Sequence, residues 1–294
     1  MKRLIQIALA TIIIGLPGSL PAEDAEKLAP ETIKLWPEGK APAGAGEFEN
    51  AHATLTIFRP QKPNGTAIVI CPGGGYGTVV GAEGAPIAKW LNTQRITGIV
   101  LKYRLPKGNP HRPLSDVRQA LRVTRMRAGD WSLKPDRIGV MGFSAGGHLA
   151  AMAATKFDPG EGKTTDPVLR QSSRPDFAIL VYPVITMGPD THRGSRNNLL
   201  GRDPGEELIR LYSNELHVTG NTPPTFLAHA ADDRPVPPSN SEKFRDALLA
   251  KKVPVKYLPL ASGGHGLNGY KGPMWDAWQA QSRQWLTGLN TVKK

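Results

Sequence analysis

"RIGVMGFSAGGHLAAMAAT", Arg137–Thr155, runs from an apolar stretch into an alanine-rich one, with a serine at the junction and glycine two residues before and two after it. A short apolar run bounded by glycine reads as a buried strand, and the Ala, Leu and Met residues that follow suit a helix. Ser144 therefore falls on a sharp strand-to-helix turn. Such a turn lifts a hydroxyl clear of the sheet. It also strains the serine backbone and crowds its neighbours, and glycines at 142 and 146 remove the Cβ atoms that would collide. The following helix places its N-terminal partial positive charge beneath the hydroxyl. The pattern predicts a nucleophilic serine.

Working outward, strands and helices alternate along most of the chain. Strand patterns lie at 52–60, 65–71, 97–104, 136–143, 175–183, 222–230 and 254–260, the first of them alternating like a half-exposed edge strand. Helix patterns lie at 84–92, 113–131, 145–155, 240–252 and 273–289, and the last carries Trp275, Trp278, Ser282 and Trp285 on one side as a core stripe. Apolar strands that alternate with helices predict an α/β fold with a mainly parallel sheet covered on both faces. Residues 23–50, rich in Pro, Gly, Ala and Glu, read as an arm, and 51–294 as one domain. Residues 184–221 break the rhythm, hold one short helix pattern ("EELIRLYS") and read as a small insertion that caps the sheet.

A serine is a weak nucleophile without a base and a group that orients the base. In a sheet of this type they follow in the order Ser, Asp, His. "HAADDRPVP" ends a strand on two aspartates, and "GGHG" places His265 on a glycine-flanked loop after the next strand. Asp233 and Asp232 compete as orienting acid. Asp233 is preferred because its distance from Val236-Pro237 fits the acid turn, and Asp232 would then cap a turn. The developing oxyanion needs backbone N–H groups aimed at it. Ala145, directly after the serine, supplies one, and Gly74 and Gly75 in "VICPGGGYG" are the expected others. Tyr76 and Tyr182, at the ends of strands where ligands gather in such sheets, are expected to line the acyl pocket and keep it short.

"PGGGYG", "GFSAGGHLA", "HAADDRPVP" and "GGHG" together resemble the α/β-hydrolase fold in its small-esterase branch, over about residues 54–289. The chain is similar to the hormone-sensitive-lipase-like esterases, but Pro72 and Phe143 stand where that group has histidine and aspartate. "CPGGGY", "KYRLP" and "GSRNNLLG" bring it nearer to exported bacterial esterases of the acetylxylan-esterase-like group. The resemblance implies a serine carboxylesterase acting on short acyl esters, with acetyl groups of xylan-type polysaccharide as the foremost substrate. A feruloyl esterase and a prolyl-oligopeptidase-like peptidase are the alternatives within hydrolases. The peptidase ordinarily needs a large gating domain, which about 60 residues before the sheet do not supply. A non-catalytic glycan-binding module would ordinarily lack one of the three side chains kept here.

Other features bound the context. "MKRLIQIALATIIIGLPGSLPA" has a basic start, a short apolar run and a small residue at Ala22, which predicts a signal peptide over 1–22 and an exported, periplasmic or extracellular protein. The single cysteine, Cys71, ends an apolar run and reads as a small buried hydrophobe, so no internal disulfide is possible. The formal net charge of +12 is scattered along the chain, which argues against nucleic-acid binding in a chain without basic-aromatic arrays. His52, His111, His192, His217 and His229 show no metal-ligand spacing, and His148 is expected to pack beneath the serine. The sequence therefore predicts no metal, no cofactor and no lasting membrane insertion.

Overall fold

A computed structural model describes residues 29–37, 40–42 and 52–292. The predicted signal peptide and most of the arm lie outside them. Eight strands form one sheet in the order β1-β2-β4-β3-β5-β6-β7-β8. β1 (Glu31–Lys34) and β2 (Thr54–Phe58) are antiparallel to their neighbours. β3 (Ala67–Cys71), β4 (Thr97–Lys102), β5 (Ile138–Phe143), β6 (Ala178–Val181), β7 (Thr225–Ala230) and β8 (Val255–Leu260) run parallel. The α/β class and the mainly parallel sheet are thus as the alternation implies.

Period-two alternation divides the core between the sheet faces. Ile68 and Ile70 of β3 join Met141 and Phe143 of β5 on one side, while Val69 and Cys71 join Val140 on the other. The first side is covered by α1 (Ala85–Thr93) through Ile87, Ala88 and Leu91, and by α7 (Pro273–Val292) through Trp275 and Trp278. The second is covered by α2 (His111–Met126), α3 (Ser144–Thr155) and α6 (Ser239–Ala250), which contribute Val117, Leu121, Leu149, Phe244 and Leu248. Burial of each such side chain contributes roughly 1.5–3 kcal/mol. The tryptophan stripe of α7 is core packing, with Trp278 and Ser282 fully buried.

Two expectations need correction. The 54–58 strand is not the sheet edge, because Glu31–Lys34 pairs outside it. That strand hides in the sequence because it is four residues long and sits between prolines 30 and 37, too short to establish a period. The 184–221 segment holds two helices rather than one: α4 (Arg193–Leu200) and α5 (Glu206–Tyr212), with a 3-10 turn at Asn214–His217. The sequence "RGSRNNLL" has weak intrinsic helix propensity. It is held instead by the His192 side chain, which caps its N-terminus, and by burial of Leu199 and Leu200.

The arm is tied to the core by polar contacts. Trp36 Nε1–H donates to Asp116 Oδ1 at 2.7 Å, and the buried Arg104 guanidinium pairs with the same carboxylate at 2.7 Å. No helix among the described residues is long and apolar enough to cross a membrane.

Candidate active site

The carboxyl ends of β3, β5, β7 and β8 feed the loops that carry Gly73–Gly75, Ser144, Asp233 and His265. Ser144 opens α3 with φ at +52°, a left-handed conformation that costs a serine on the order of 1–3 kcal/mol. A Cβ on Gly142 would lie 2.1 Å from Gly146 O, and one on Gly146 would lie 2.1 Å from Cys71 O. Close approach of strand, helix and glycine loop is therefore what the flanking glycines permit.

His265 Nε2 lies 2.8 Å from Ser144 Oγ, and His265 Nδ1 lies 2.8 Å from Asp233 Oδ2. A carboxylate can only accept, so Nδ1 carries the proton and Nε2 is left to accept from the serine. The Asp233 side chain is fully buried, while the imidazole of His265 remains 27% exposed. Burial alone would raise the Asp233 pKa, but hydrogen bonds from His229 and His265 outweigh it and hold the carboxyl at about 2. The Val236 N–H donates to the second oxygen, Oδ1, at 3.0 Å.

His229 is a partner the sequence reading passed over. Its Nε2 donates to Val236 O at 2.9 Å and lies 3.3 Å from Asp233 Oδ2, while Nδ1 accepts from Ser241 at 2.8 Å. A histidine four residues before the acid was the available signal, but it carried no metal-like spacing. Asp232 points elsewhere. Its carboxylate accepts from the N–H groups of Gly263 and Gly264 at 3.2 and 2.8 Å, and so braces the loop that presents His265.

The glycine loop lies against the serine. A Cβ on Gly73 would be 3.0 Å from Ser144 Cβ. Gly74 and Gly75 have φ of +119° and +61°. Among the described residues, the N–H groups of Gly74, Gly75 and Ala145 meet no acceptor, whereas Gly73 N–H donates to Glu83 Oε2 at 2.6 Å. Glu83 is the second residue that sequence reasoning missed, since a lone glutamate between small residues reads as solvated. It is 2% exposed, and its other oxygen accepts from Tyr182 Oη at 2.9 Å. Burial raises its pKa above the ordinary carboxyl value, opposed by those hydrogen bonds.

Tyr76 and Tyr182 require correction. They are 1% and 0% exposed, so neither offers a surface to an acyl chain. Tyr182 packs edge-on against His265 with ring centroids 5.0 Å apart and gives its hydroxyl to Glu83. Tyr76 gives its hydroxyl to His148 Nδ1 at 2.8 Å. His148 in turn donates from Nε2 to Tyr212 O at 2.8 Å, beneath the site as its place on α3 implies. Both tyrosines are too well packed by the sheet to act as pocket walls. Tyr182 instead braces His265 and Glu83, and Tyr76 braces His148.

A family model described as BD-FAE matches residues 55–248. An acetylxylan esterase of Xylanibacter ruminicola is 35% identical over 262 residues, covering 87% of this chain and 49% of that protein. The chain thus spans about half the length of the curated relatives it matches. Among solved structures, an acetyl ester-xyloside bifunctional hydrolase from Caldicellulosiruptor lactoaceticus superposes with a TM-score of 0.83 at 37% identity, covering 88% of this chain and 96% of that one. A carboxylesterase from Lactobacillus plantarum gives 0.71 at 25% identity, covering 89% and 98%.

Proposed function

The chain belongs to the BD-FAE family and has the α/β-hydrolase fold, and from that premise we propose that it is a serine carboxylesterase that removes short acyl groups, acetyl foremost, from hydroxylated alcohols of the xylan type. The observation that carries this reading is the unbroken line Ser144 Oγ, His265 Nε2, His265 Nδ1, Asp233 Oδ2, with both contacts at 2.8 Å. The names of the two xylan-linked relatives support the choice of substrate class.

In this mechanism Ser144 Oγ attacks the ester carbonyl as His265 Nε2 takes its proton. Asp233, ionised and buried, stabilises the imidazolium and keeps it turned toward the serine. The N–H groups of Ala145, Gly74 and Gly75 hold the oxyanion, helped by the N-terminus of α3. His265 then protonates the departing alcohol. Water, activated by the same imidazole, attacks the acyl-serine and releases the acid.

The test is hydrolysis of p-nitrophenyl esters of rising chain length beside acetylated xylo-oligosaccharides, for the wild type and Ser144→Ala. The wild type should favour acetyl, and Ser144→Ala should keep only the residual oxyanion-hole rate, roughly 10³–10⁴-fold over water. A variant that keeps a tenth of the wild-type kcat, or a wild-type optimum at octanoyl, overturns the reading. Export of the protein, proposed from residues 1–22 alone, is checked by N-terminal sequencing of the mature chain.

A further inference from the structure

We propose that His192 contacts the substrate and reads its alcohol side, donating from Nε2–H to an oxygen of a polyhydroxylated alcohol bound at Ser144. The proposal rests on the esterase reading above and names what that site recognises. Placement comes first. The glycine loop touches Ser144 at Gly73, and at Gly75 it touches the inserted helix α4, where a Cβ would lie 3.7 Å from His192 Cε1. Two residues of chain span at most about 7 Å. The His192 imidazole and the nucleophile therefore lie against the same three-residue stretch of the glycine loop, and the ring is near enough to His265 to interact with it electrostatically.

The placement is fixed rather than incidental. Asn198 of α4 donates from Nδ2 to Gly75 O at 2.9 Å, and its own carbonyl accepts from Gly108 N–H at 2.9 Å. These bonds register the inserted helix on the oxyanion loop. The proton position is fixed as well. Ser195 N–H donates to His192 Nδ1 at 3.2 Å, and Ser195 Oγ lies 2.9 Å from the same nitrogen. Nδ1 is the acceptor, so Nε2 carries the hydrogen.

That N–H meets no acceptor among the described residues, and the residue is only partly buried. Burial, and then the neighbouring His265, lower the His192 pKa, opposed by the Asp233 carboxylate, which favours the neutral ring. A neutral donor on a half-covered ring suits a hydroxyl or ring oxygen. A formal charge there would oppose the imidazolium that His265 becomes during the reaction.

The experiment uses His192→Asn. Asparagine is a strong N-cap and can still accept from Ser195 N–H, so α4 keeps its cap while the distant donor is lost. The readout is the ratio of kcat/KM for an acetylated xylo-oligosaccharide to that for p-nitrophenyl acetate, whose leaving group has no hydroxyls beyond the phenol. The ratio should fall about tenfold, mainly through KM for the sugar ester, as befits loss of one hydrogen bond. An unchanged ratio overturns the proposal, whether both rates fall together or neither falls. A second measurement does not depend on turnover. Calorimetric binding of the deacetylated xylo-oligosaccharide to Ser144→Ala should weaken by a similar factor when His192→Asn is added. Equal affinity of the two proteins also overturns it. Failure of the wild type on every ester would instead strike the esterase reading.

Discussion

Asp232 and Asp233 are adjacent carboxylates with different tasks, and the division follows from what each touches. Asp233 accepts the His265 Nδ1–H, and Asp232 accepts two glycine N–H groups of the histidine loop. Asp233→Asn should lower kcat on the order of 10⁴-fold, because an amide can present its own N–H to Nδ1 and favour the wrong tautomer. Asp232→Asn keeps a carbonyl for one loop N–H and should lower kcat less than tenfold. Steady-state kinetics on p-nitrophenyl acetate decides between them, and equal losses would refute the division. Ser144, Asp233 and His265 were all legible in the sequence, because each stands in a short local pattern dictated by its turn. Glu83 and His229 were not. Their meaning comes from partners placed by the fold, Tyr182 for one and Val236 with Ser241 for the other, and no local pattern announces such a partner.

Among the elements, the loop after β3 is the one whose shape is most exposed to a single change. Glu83 holds it from below through Gly73 N–H and is itself held by Tyr182, which flanks His265. Glu83→Ala would leave a buried N–H and a buried hydroxyl unpaired, at about 1–3 kcal/mol each. The neighbouring oxyanion donors should shift with the loop, and kcat should fall on the order of 10²-fold with KM little changed. Glu83→Gln keeps an acceptor for Gly73 and should recover most of that kcat. If both variants lose stability but keep the wild-type kcat when folded, the residue has no part in setting the loop. Most strands and helices were legible because their apolar runs or periods extend over five or more residues of sequence. β1 and α4 were not, since one is too short to show a period and the other depends on the His192 cap and on Asn198 reaching Gly75.

For the molecule as a whole, one contribution to acid stability comes from a histidine far from solvent. His148 is fully buried, and burial first of all, opposed by its bond to Tyr212 O, lowers its pKa from 6.5 to about 4. The unfolded chain binds a proton there below about pH 6.5 and the folded chain does not until about pH 4. The associated stability is complete above pH 6.5, is lost as pH falls through that window, and amounts to about 3 kcal/mol. Urea unfolding at pH 7.0 and 4.5 should show the loss in the wild type and a smaller one in His148→Gln. Identical pH slopes would assign the effect to other groups.

Among the described residues, the sheet that positions the site ends in two edge strands, β1 and β8, and an open edge invites a second copy to extend it. β1 offers only four residues with a charge at each end, Glu31 and Lys34. β8 reads "VKYLPL", in which Lys256 and Pro259 are both exposed. The lysine charges the edge and the proline withholds an amide hydrogen, so intermolecular strand pairing lacks both an apolar surface and a full ladder. Lys256→Val with Pro259→Val would turn that edge into six consecutive apolar or aromatic residues, the composition of an aggregation-prone segment. Light scattering of the double variant during refolding should rise well above that of the wild type. Residues remote from Ser144 would thereby set how concentrated the protein can become before it precipitates.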